Sequence, residues 1–236
     1  VGITTSGDAY AWGHNGSGQL GDGTTTTRTT PVLVGQMWAS ISAGHYHTVG
    51  ITTSGDAYAW GSNSSGELGD GTYSQRTTPV LVGGGHTWAS ISAGDDHTVG
   101  ITTSGDAYAW GYNGHGQLGD GTTTDRTTPV LVSGGHTWAS IETGHDHTVG
   151  LTTSEAVYAW GYNGDGQLGD GTTTTRTTLT LVSGGHTWTW ISAGEKYTVG
   201  ITTSGAAYAW GRNASGQLGD DSTTRRTTPV LVSPRP

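Results

Sequence analysis

Histidines recur in this chain at fixed positions where imidazole chemistry could operate. Three of them follow the pattern Gly-x-x-His-Thr, namely His47, His97 and His147, and Tyr197 takes the same place in a fourth copy. A ring of imidazoles could bind a metal ion or sense pH, but the tyrosine breaks any such ring. The sequence therefore predicts a structural, hydrogen-bonding role for these histidines. A second set, predicted to lie in solvated loops, consists of His86, His136 and His186.

Aspartates recur in Leu-Gly-Asp loops, each followed six residues later by an arginine. The pairs are Asp22 with Arg28, Asp70 with Arg76, Asp120 with Arg126, Asp170 with Arg176 and Asp220 with Arg226. Carboxylate-rich loops can bind calcium, but neither an Asp-x-Asp-x-Asp-Gly pattern nor a closing glutamate accompanies these aspartates. The sequence therefore favours ion pairs that hold the loops together, worth about 0–1 kcal/mol each where they are partly exposed. It predicts no metal and no other cofactor.

Catalytic chemistry has little support in the distribution of polar residues. A Ser-His-Asp site or a pair of catalytic carboxylates needs one set of side chains gathered in one pocket. Here serine, histidine and aspartate recur almost evenly along the chain, and the unrepeated acids share no motif: Glu67, Glu142, Glu155 and Glu195. No Gly-x-x-x-x-Gly-Lys phosphate-binding loop is present. The sequence therefore predicts that this protein is not an enzyme.

The composition predicts an all-β protein. The 236 residues include 43 glycines, ten tryptophans and ten tyrosines, with no cysteine, which excludes disulfides and thiolate metal sites. Threonine-rich strands and glycine-rich turns are favoured, whereas helices are disfavoured. The net charge is −9, with no basic run to contact phosphates, so we expect no nucleic-acid partner. No apolar stretch is long enough to span a membrane, so we expect no membrane partner.

A repeated phrase, Ala-Tyr-Ala-Trp-Gly, defines the organisation of the chain. It begins at residues 9, 57, 107 and 207, with a valine variant at 157. A period near 50 residues with several short strands is typical of propeller blades. The sequence predicts one domain, residues 1–236, with about five four-stranded blades, whose units are residues 1–37, 38–87, 88–137, 138–187 and 188–236. The first unit lacks its first strand.

One repeat shows how the four strands, A to D, are placed. The predicted strands are Ala89–Ala93, His97–Thr103, Ala107–Gly111 and Thr128–Val132. On strand C, tyrosine and tryptophan share one face and small alanines the other, which favours tight packing of sheet on sheet. The tryptophans predicted to fill the gaps between blades are Trp12, Trp60, Trp110, Trp160 and Trp210.

The units resemble the regulator of chromosome condensation repeat. The matching motifs are Gly94-Asp95-Asp96-His97-Thr98, Tyr108-Ala109-Trp110-Gly111-Tyr112-Asn113 and Gly116-Gln117-Leu118-Gly119. The resemblance spans essentially the whole chain and implies a propeller, usually of seven blades. This chain has five copies of strands B, C and D but four of strand A. An unpaired edge is a liability, so a partner, including a second copy of the chain, could complete the open blade by self-association.

The resemblance offers three functional precedents. Nucleotide exchange on the small GTPase Ran, with chromatin binding, is not expected because no basic tail or inserted wedge interrupts the repeats. Light sensing needs clustered tryptophans, whereas these occupy regular blade positions. Tight protein binding through the loops of one face needs nothing that this chain lacks.

The connections A–B and C–D should emerge on one face of each blade, and they carry most of the variation between units. The candidate binding residues there are His14, His45, Tyr46, Asp95, Asp96, Tyr112, His145, Asp146, Tyr162 and Arg212. Because loops on a rigid scaffold often carry binding, the sequence predicts a non-catalytic binding or structural module for a protein partner. Three alternatives stay open: a multivalent carbohydrate-binding propeller, an amplified or engineered repeat scaffold without a ligand, and simple drift of surface loops.

Overall fold

The computed structural model describes residues 1–35 and 37–233, and these contain 19 strands and no helix. They form five antiparallel sheets, in which consecutive strands pair side by side. Accordingly, the described residues contain no helix long and apolar enough to cross a membrane. The prediction of an all-β chain built from repeated sheets is confirmed.

The chain divides into two compact units. Unit 1 comprises residues 1–113 and 124–131, and unit 2 comprises residues 114–123 and the chain from residue 132 onward.

Unit 1 contains three sheets. Sheet 1 has only three strands: β1 (Gly2–Ile3), β2 (Ala9–Gly13) and β3 (Arg28–Gly35). Sheet 2 is built from β4 (Trp38–Ala43), β5 (His47–Thr52), β6 (Ala57–Gly61) and β7 (Arg76–Leu81). Sheet 3 is built from β8 (Trp88–Ala93), β9 (His97–Thr102), β10 (Ala107–Gly111) and β11 (Arg126–Leu131). In sheet 1, β1 pairs with β2 in the place that strand B takes in the other sheets.

Unit 2 contains two sheets of the same design. Sheet 4 is built from β12 (Trp138–Thr143), β13 (His147–Thr152), β14 (Val157–Gly161) and β15 (Arg176–Leu181). Sheet 5 is built from β16 (Trp188–Ala193), β17 (Tyr197–Thr202), β18 (Ala207–Gly211) and β19 (Arg226–Leu231).

The predicted strand bounds of the 88–137 unit agree with the structure to within two residues. Strand C is observed over the predicted residues, whereas β11 begins at Arg126 instead of Thr128. The difference has a structural cause, since Arg126 pairs with Gly111 across an irregularity in the register of β10 and β11. A polar residue at the end of a long loop gives no periodicity signal that would mark this pairing.

Large rings lie flat against glycine in the middle of strand B. In sheet 3 a Cβ atom added to Gly100 would lie 2.6 Å from the Trp88 ring, so only glycine leaves room for this indole. The Trp88 ring also packs against Trp110, with ring centroids 5.5 Å apart. An indole buried in this way removes roughly 200 Å² from water, which is about 5 kcal/mol as an upper estimate. These aromatic layers supply the cores of a chain that has few aliphatic residues.

Trp12 departs from the prediction that all five strand-C tryptophans are packed. Its side chain is 49% exposed, whereas Trp60, Trp110, Trp160 and Trp210 are fully buried. Each buried indole is covered by a Leu-Gly loop of a neighbouring repeat, and no such loop covers Trp12 within the described part of the chain.

Candidate functional site

The long C–D loops are held rigid by an Asn-Asp-Arg network. In sheet 2, Asp70 accepts hydrogen bonds from the hydroxyl of Thr72 (2.7 Å) and the guanidinium of Arg76 (2.7 Å). Burial alone would raise the pKa of Asp70, but these hydrogen bonds outweigh it and hold that pKa below its ordinary value. Asn63, which is buried, donates from Nδ2 to Asp70 and to the carbonyls of Thr72 and Ser74.

The same network recurs around the other loops. Ion pairs of 2.6–2.8 Å join Asp22 to Arg28, Asp170 to Arg176 and Asp220 to Arg226. In unit 2, Asp120 accepts from both the amide (2.9 Å) and the hydroxyl (2.7 Å) of Thr122. Within the described residues, no group of three or more His, Cys, Asp or Glu side chains is placed to hold a metal ion. The buried asparagines are the members of this network that sequence reasoning missed, although the Trp-Gly-x-Asn motif marks their position.

The His-Thr motif joins neighbouring sheets through buried hydrogen bonds. In unit 1 the Thr98 hydroxyl donates to the Glu67 carbonyl (2.9 Å), and the Trp110 indole donates to the same carbonyl (2.9 Å). Thr98 also accepts from His47. In unit 2, His147 contacts Thr198 in the same way. These side chains, together with the buried His97, lie inside the protein and not on its surface.

The A–B and C–D connections lie side by side at one end of each sheet. The Ser62 amide donates to the Tyr46 carbonyl (2.9 Å), and the Tyr112 amide donates to the Asp96 carbonyl (2.8 Å). In unit 2 the same bond joins Tyr162 to Asp146 and Arg212 to Lys196. The strands are nearly identical between repeats, so these adjoining tips are the places where the repeats differ in chemistry.

In unit 1 the connections form a polar aromatic strip. The His45 ring stacks on Tyr46, with centroids 4.0 Å apart, and His14 meets Tyr46 edge-on at 6.3 Å. His45 Nδ1 lies 3.7 Å from an Asp95 carboxylate oxygen. Tyr46 is 40% exposed. Side chains from three sheets therefore meet on one surface. We call the residues His14, His45, Tyr46, Asp95, Asp96 and Tyr112 loop surface 1.

In unit 2 the corresponding tips carry a different set of contacts. His145 Nδ1 lies 2.6 Å from Asp146 Oδ2, and Gln117 donates to the other oxygen of that carboxylate at 3.4 Å. The rings of His115 and Tyr162 lie 5.1 Å apart. We call the residues His115, His145, Asp146, Tyr162, Lys196 and Arg212 loop surface 2.

The second histidine set lies in the connections between strand D and the following strand A, where its side chains are half-buried. The His86 ring packs on Tyr108 with centroids 4.0 Å apart and meets Trp88 edge-on at 5.4 Å. His136 and His186 repeat this packing on Tyr158 and Tyr208. The tyrosine face is apolar, so a flat imidazole covers it better than water does. These histidines therefore extend the aromatic layers.

Four of the sheets have four antiparallel strands, buried tryptophans and a long C–D loop held by hydrogen bonds and ion pairs. This arrangement defines a β-propeller built from repeated blades. A family model described as the RCC1-like domain matches residues 1–235. The chain belongs to this family, and the predicted propeller of about five blades is confirmed.

Solved structures with this fold include human WBSCR16, with a TM-score of 0.87, 20% identity and 98% of this chain covered. Prp20p from Saccharomyces cerevisiae matches with a TM-score of 0.83, 20% identity and 99% coverage. The chain spans 64% and 61% of those two chains. Among curated proteins, 51 residues, or 20% of this chain, are 45% identical to the Homo sapiens E3 ubiquitin-protein ligase HERC2, and the match covers 1% of that protein.

Proposed function

We propose that this chain is a non-catalytic protein-binding scaffold whose partner contacts the A–B and C–D connections. The observation that carries the proposal is the contrast between the repeated, hydrogen-bonded blades and the variable side chains at their tips. Tyrosine, histidine and aspartate side chains are partly exposed there, over loops that buried asparagines and ion pairs hold in place. A rigid platform limits the conformational entropy lost on binding, and tyrosine is a frequent interface anchor.

Charge favours a basic partner. The chain carries a net charge of −9, and loop surface 1 includes Asp95 and Asp96 but no lysine or arginine. Opposite charges on two partners raise the rate at which they associate. The printed title of the Prp20p structure reports binding to Gsp1p and histones, and a second structure has Kap60 bound to this yeast protein. Histones are strongly basic, so we expect them to bind better than the other two.

The test measures the affinity of the full chain for histones, Gsp1p and Kap60 by biolayer interferometry. Replacing Tyr46 and Tyr112 by alanine should weaken histone binding at least tenfold. A matched control replaces Leu81 and Leu131 by alanine, since they are about half exposed at the opposite ends of their sheets. The control should change the affinity less than twofold. Equal losses in both variants, or no binding by any probe, would contradict the proposal.

The proposal also excludes an exchange-factor role, which needs its own measurement. The release of labelled GDP from Gsp1p should proceed at the same rate with and without a large excess of the chain. Accelerated release would replace the scaffold proposal with nucleotide exchange.

Carbohydrate binding is less favoured because the C–D connections begin with different residues. Multivalent sugar binding needs near-identical pockets in every blade, whereas the residues at this position are His14, Ser62, Tyr112, Tyr162 and Arg212. A glycan array should therefore show no binding. A signal that grows with glycan valency would favour the carbohydrate-binding alternative.

A further inference from the structure

Strand D lies at the edge of every described sheet, and in four of the five it contains a proline. An edge strand presents backbone N–H and C=O groups that can pair with a strand of another molecule, and proline hinders such pairing because it has no N–H group. The prolines are Pro31, Pro79, Pro129 and Pro229. In β15 of sheet 4 the corresponding residue is Leu179, so this edge alone lacks the proline.

The register shows that sheet 4 does not use the Leu179 amide. In sheet 3, Val130 pairs with Ala109, and in sheet 4, Thr180 pairs with Ala159 in the same way. Leu179 therefore takes the place of Pro129, whose nitrogen carries no hydrogen. Because four strands D keep their place without a donor here, the Leu179 amide is an additional donor at the edge of the sheet.

The backbone groups on either side of Thr180 point away from sheet 4. The Val182 amide donates to the Val157 carbonyl of β14 (2.9 Å). Amides alternate between the two sides of a strand, so Thr180 also faces β14, whereas Leu181 and Leu179 face outward. In the part of the chain that the structure describes, no strand pairs with this side of β15. We call residues 179–181 the sheet 4 edge.

The side chains around the sheet 4 edge also suit strand pairing. Residues 177–182 read Thr-Thr-Leu-Thr-Leu-Val, with no charge and no proline. Such β-branched and aliphatic runs have high strand propensity and readily pair with other strands. The Leu181 side chain is 55% exposed. The charge of Arg176, just before the run, is balanced by Asp170 at 2.8 Å.

We propose that the sheet 4 edge pairs antiparallel with the same edge of a second copy of the chain. Around a two-fold axis at Thr180, the Leu179 amide donates to the second copy's Leu181 carbonyl, and the Leu181 amide donates to the second copy's Leu179 carbonyl. The occupant is a second copy because this pairing satisfies the outward donors and acceptors of both edges at once. It also brings two uncharged segments together, although each copy carries a net charge of −9. The dimer leaves loop surfaces 1 and 2 out of the interface, so it goes beyond the proposed partner binding.

The first test measures dimerisation of the full chain by light scattering over a wide concentration range. The molar mass of the wild type should rise towards that of two chains. Leu179→Pro, which gives β15 the residue that four other strands D already have, should weaken dimerisation at least tenfold because it removes the outward donor.

Thr180→Val is the matched control, since it also introduces the residue of other repeats, such as Val80 and Val130, but keeps every amide. It should change the dimerisation constant less than twofold. A wild-type chain that stays monomeric at every concentration overturns the proposal. So does dimerisation that Leu179→Pro leaves intact, or that both variants lose equally.

The second test reports the register of the pairing. The chain has no cysteine, so Thr180→Cys introduces a single thiol. On the two-fold axis this residue meets its own counterpart in a non-hydrogen-bonded pair, with Cα atoms about 4.5 Å apart, which a disulfide can bridge. Mild oxidation should therefore cross-link Thr180→Cys, and adding Leu179→Pro should suppress the cross-link.

Thr178→Cys is the control for the register. In the same arrangement its counterpart would lie about 13 Å away, because the two residues are offset by four positions along the strands. Thr180→Cys should cross-link at least ten times faster than Thr178→Cys. Equal rates for the two cysteine variants, with both folded by circular dichroism, would overturn the antiparallel pairing.

Discussion

His47 Nε2 lies 2.9 Å from the hydroxyl oxygen of Thr98, which is 51 residues further along the chain. That hydroxyl gives its one proton to the Glu67 carbonyl, so it can only accept from the imidazole. The Nε2 atom of His47 therefore carries the proton, and Nδ1 is a buried acceptor without a partner. Protonation of Nδ1 would place a charge and an unpaired N–H in the interior.

The stability of the fold should fall as the pH falls below about 6.5. Burial lowers the pKa of His47 to about 4. Since the unfolded chain titrates near 6.5, it binds more protons than the folded chain between these values. The contribution of neutral His47 to the free energy of unfolding is complete above pH 6.5. It falls by up to about 1.4 kcal/mol for each pH unit as the pH is lowered from 6.5 to 4. Urea unfolding between pH 4 and 8 measures it.

The control separates this histidine from the exposed ones. His47→Gln should reduce the slope of unfolding free energy against pH below 6.5, whereas His45→Gln, two residues away with a 57% exposed side chain, should keep the wild-type slope. Equal slopes in wild type and His47→Gln would show that this imidazole does not cause the loss of unfolding free energy below pH 6.5.

Glu67→Gln should stabilise the protein at neutral pH. Glu67 is fully buried, and both burial and the nearby Asp96 charge raise its pKa above the ordinary value of 4.5. A raised carboxyl pKa stabilises the fold at low pH, and that stabilisation is lost as the pH rises through the folded pKa. Glutamine removes this loss, so the variant should be more stable than wild type at pH 7, and the difference should shrink towards pH 4. Thermal unfolding at the two pH values measures it.

Other repeats show that glutamine fits this position. The side-chain oxygens of Gln117 and Gln167 each accept a hydrogen bond from the backbone amide two residues earlier in the sequence. The Glu67 carboxylate accepts the same bond from the Ser65 amide. Glu195→Gln, at an exposed tip, is the control and should leave stability within about 0.5 kcal/mol of wild type. A lower melting temperature for Glu67→Gln at pH 7 would mean that the carboxylate is needed in its charged form.

The blades could be predicted from the sequence because their signal is local. Trp110 and the residues around it recur with a fixed period, so the strands and their order follow from the repeat. The exposure of Trp12 could not be predicted, because its pentapeptide is identical to that around Trp110 and burial depends on a neighbouring loop. The packing of His86 on Tyr108 was missed for a related reason: the two residues meet only after the sheet has formed. The histidine contacts across sheets are equally non-local.

Asn63→Ala should destabilise the protein by about 2–4 kcal/mol. The side chain of Asn63 is buried, accepts from the Leu68 amide (3.0 Å), and donates to the carbonyls of Thr72 and Ser74. Alanine leaves these backbone groups unpaired, and each unpaired buried group costs about 1–3 kcal/mol unless water reaches it. Denaturant unfolding followed by tryptophan fluorescence measures the loss. Ser64→Ala, at an exposed position, serves as the control. If Asn63→Ala lost no more stability than Ser64→Ala, the loop conformation would not depend on the hydrogen bonds of Asn63.

Glu155→Gly should stabilise the B–C turn of sheet 4. Glu155 has a φ of +66°, where the equivalent Gly55 and Gly105 have +90° and +88°. The left-handed conformation costs a residue with a Cβ about 1–2 kcal/mol, and glycine removes this strain. Glycine also loses more backbone entropy on folding, which offsets about 0.5–1 kcal/mol of the stabilisation. The net stabilisation should be about 0.5–1 kcal/mol in urea unfolding. The reverse change, Gly205→Glu, lies in open space at a φ of +84° and should lose a similar amount. If both changes shifted stability in the same direction, backbone conformation would not be the cause.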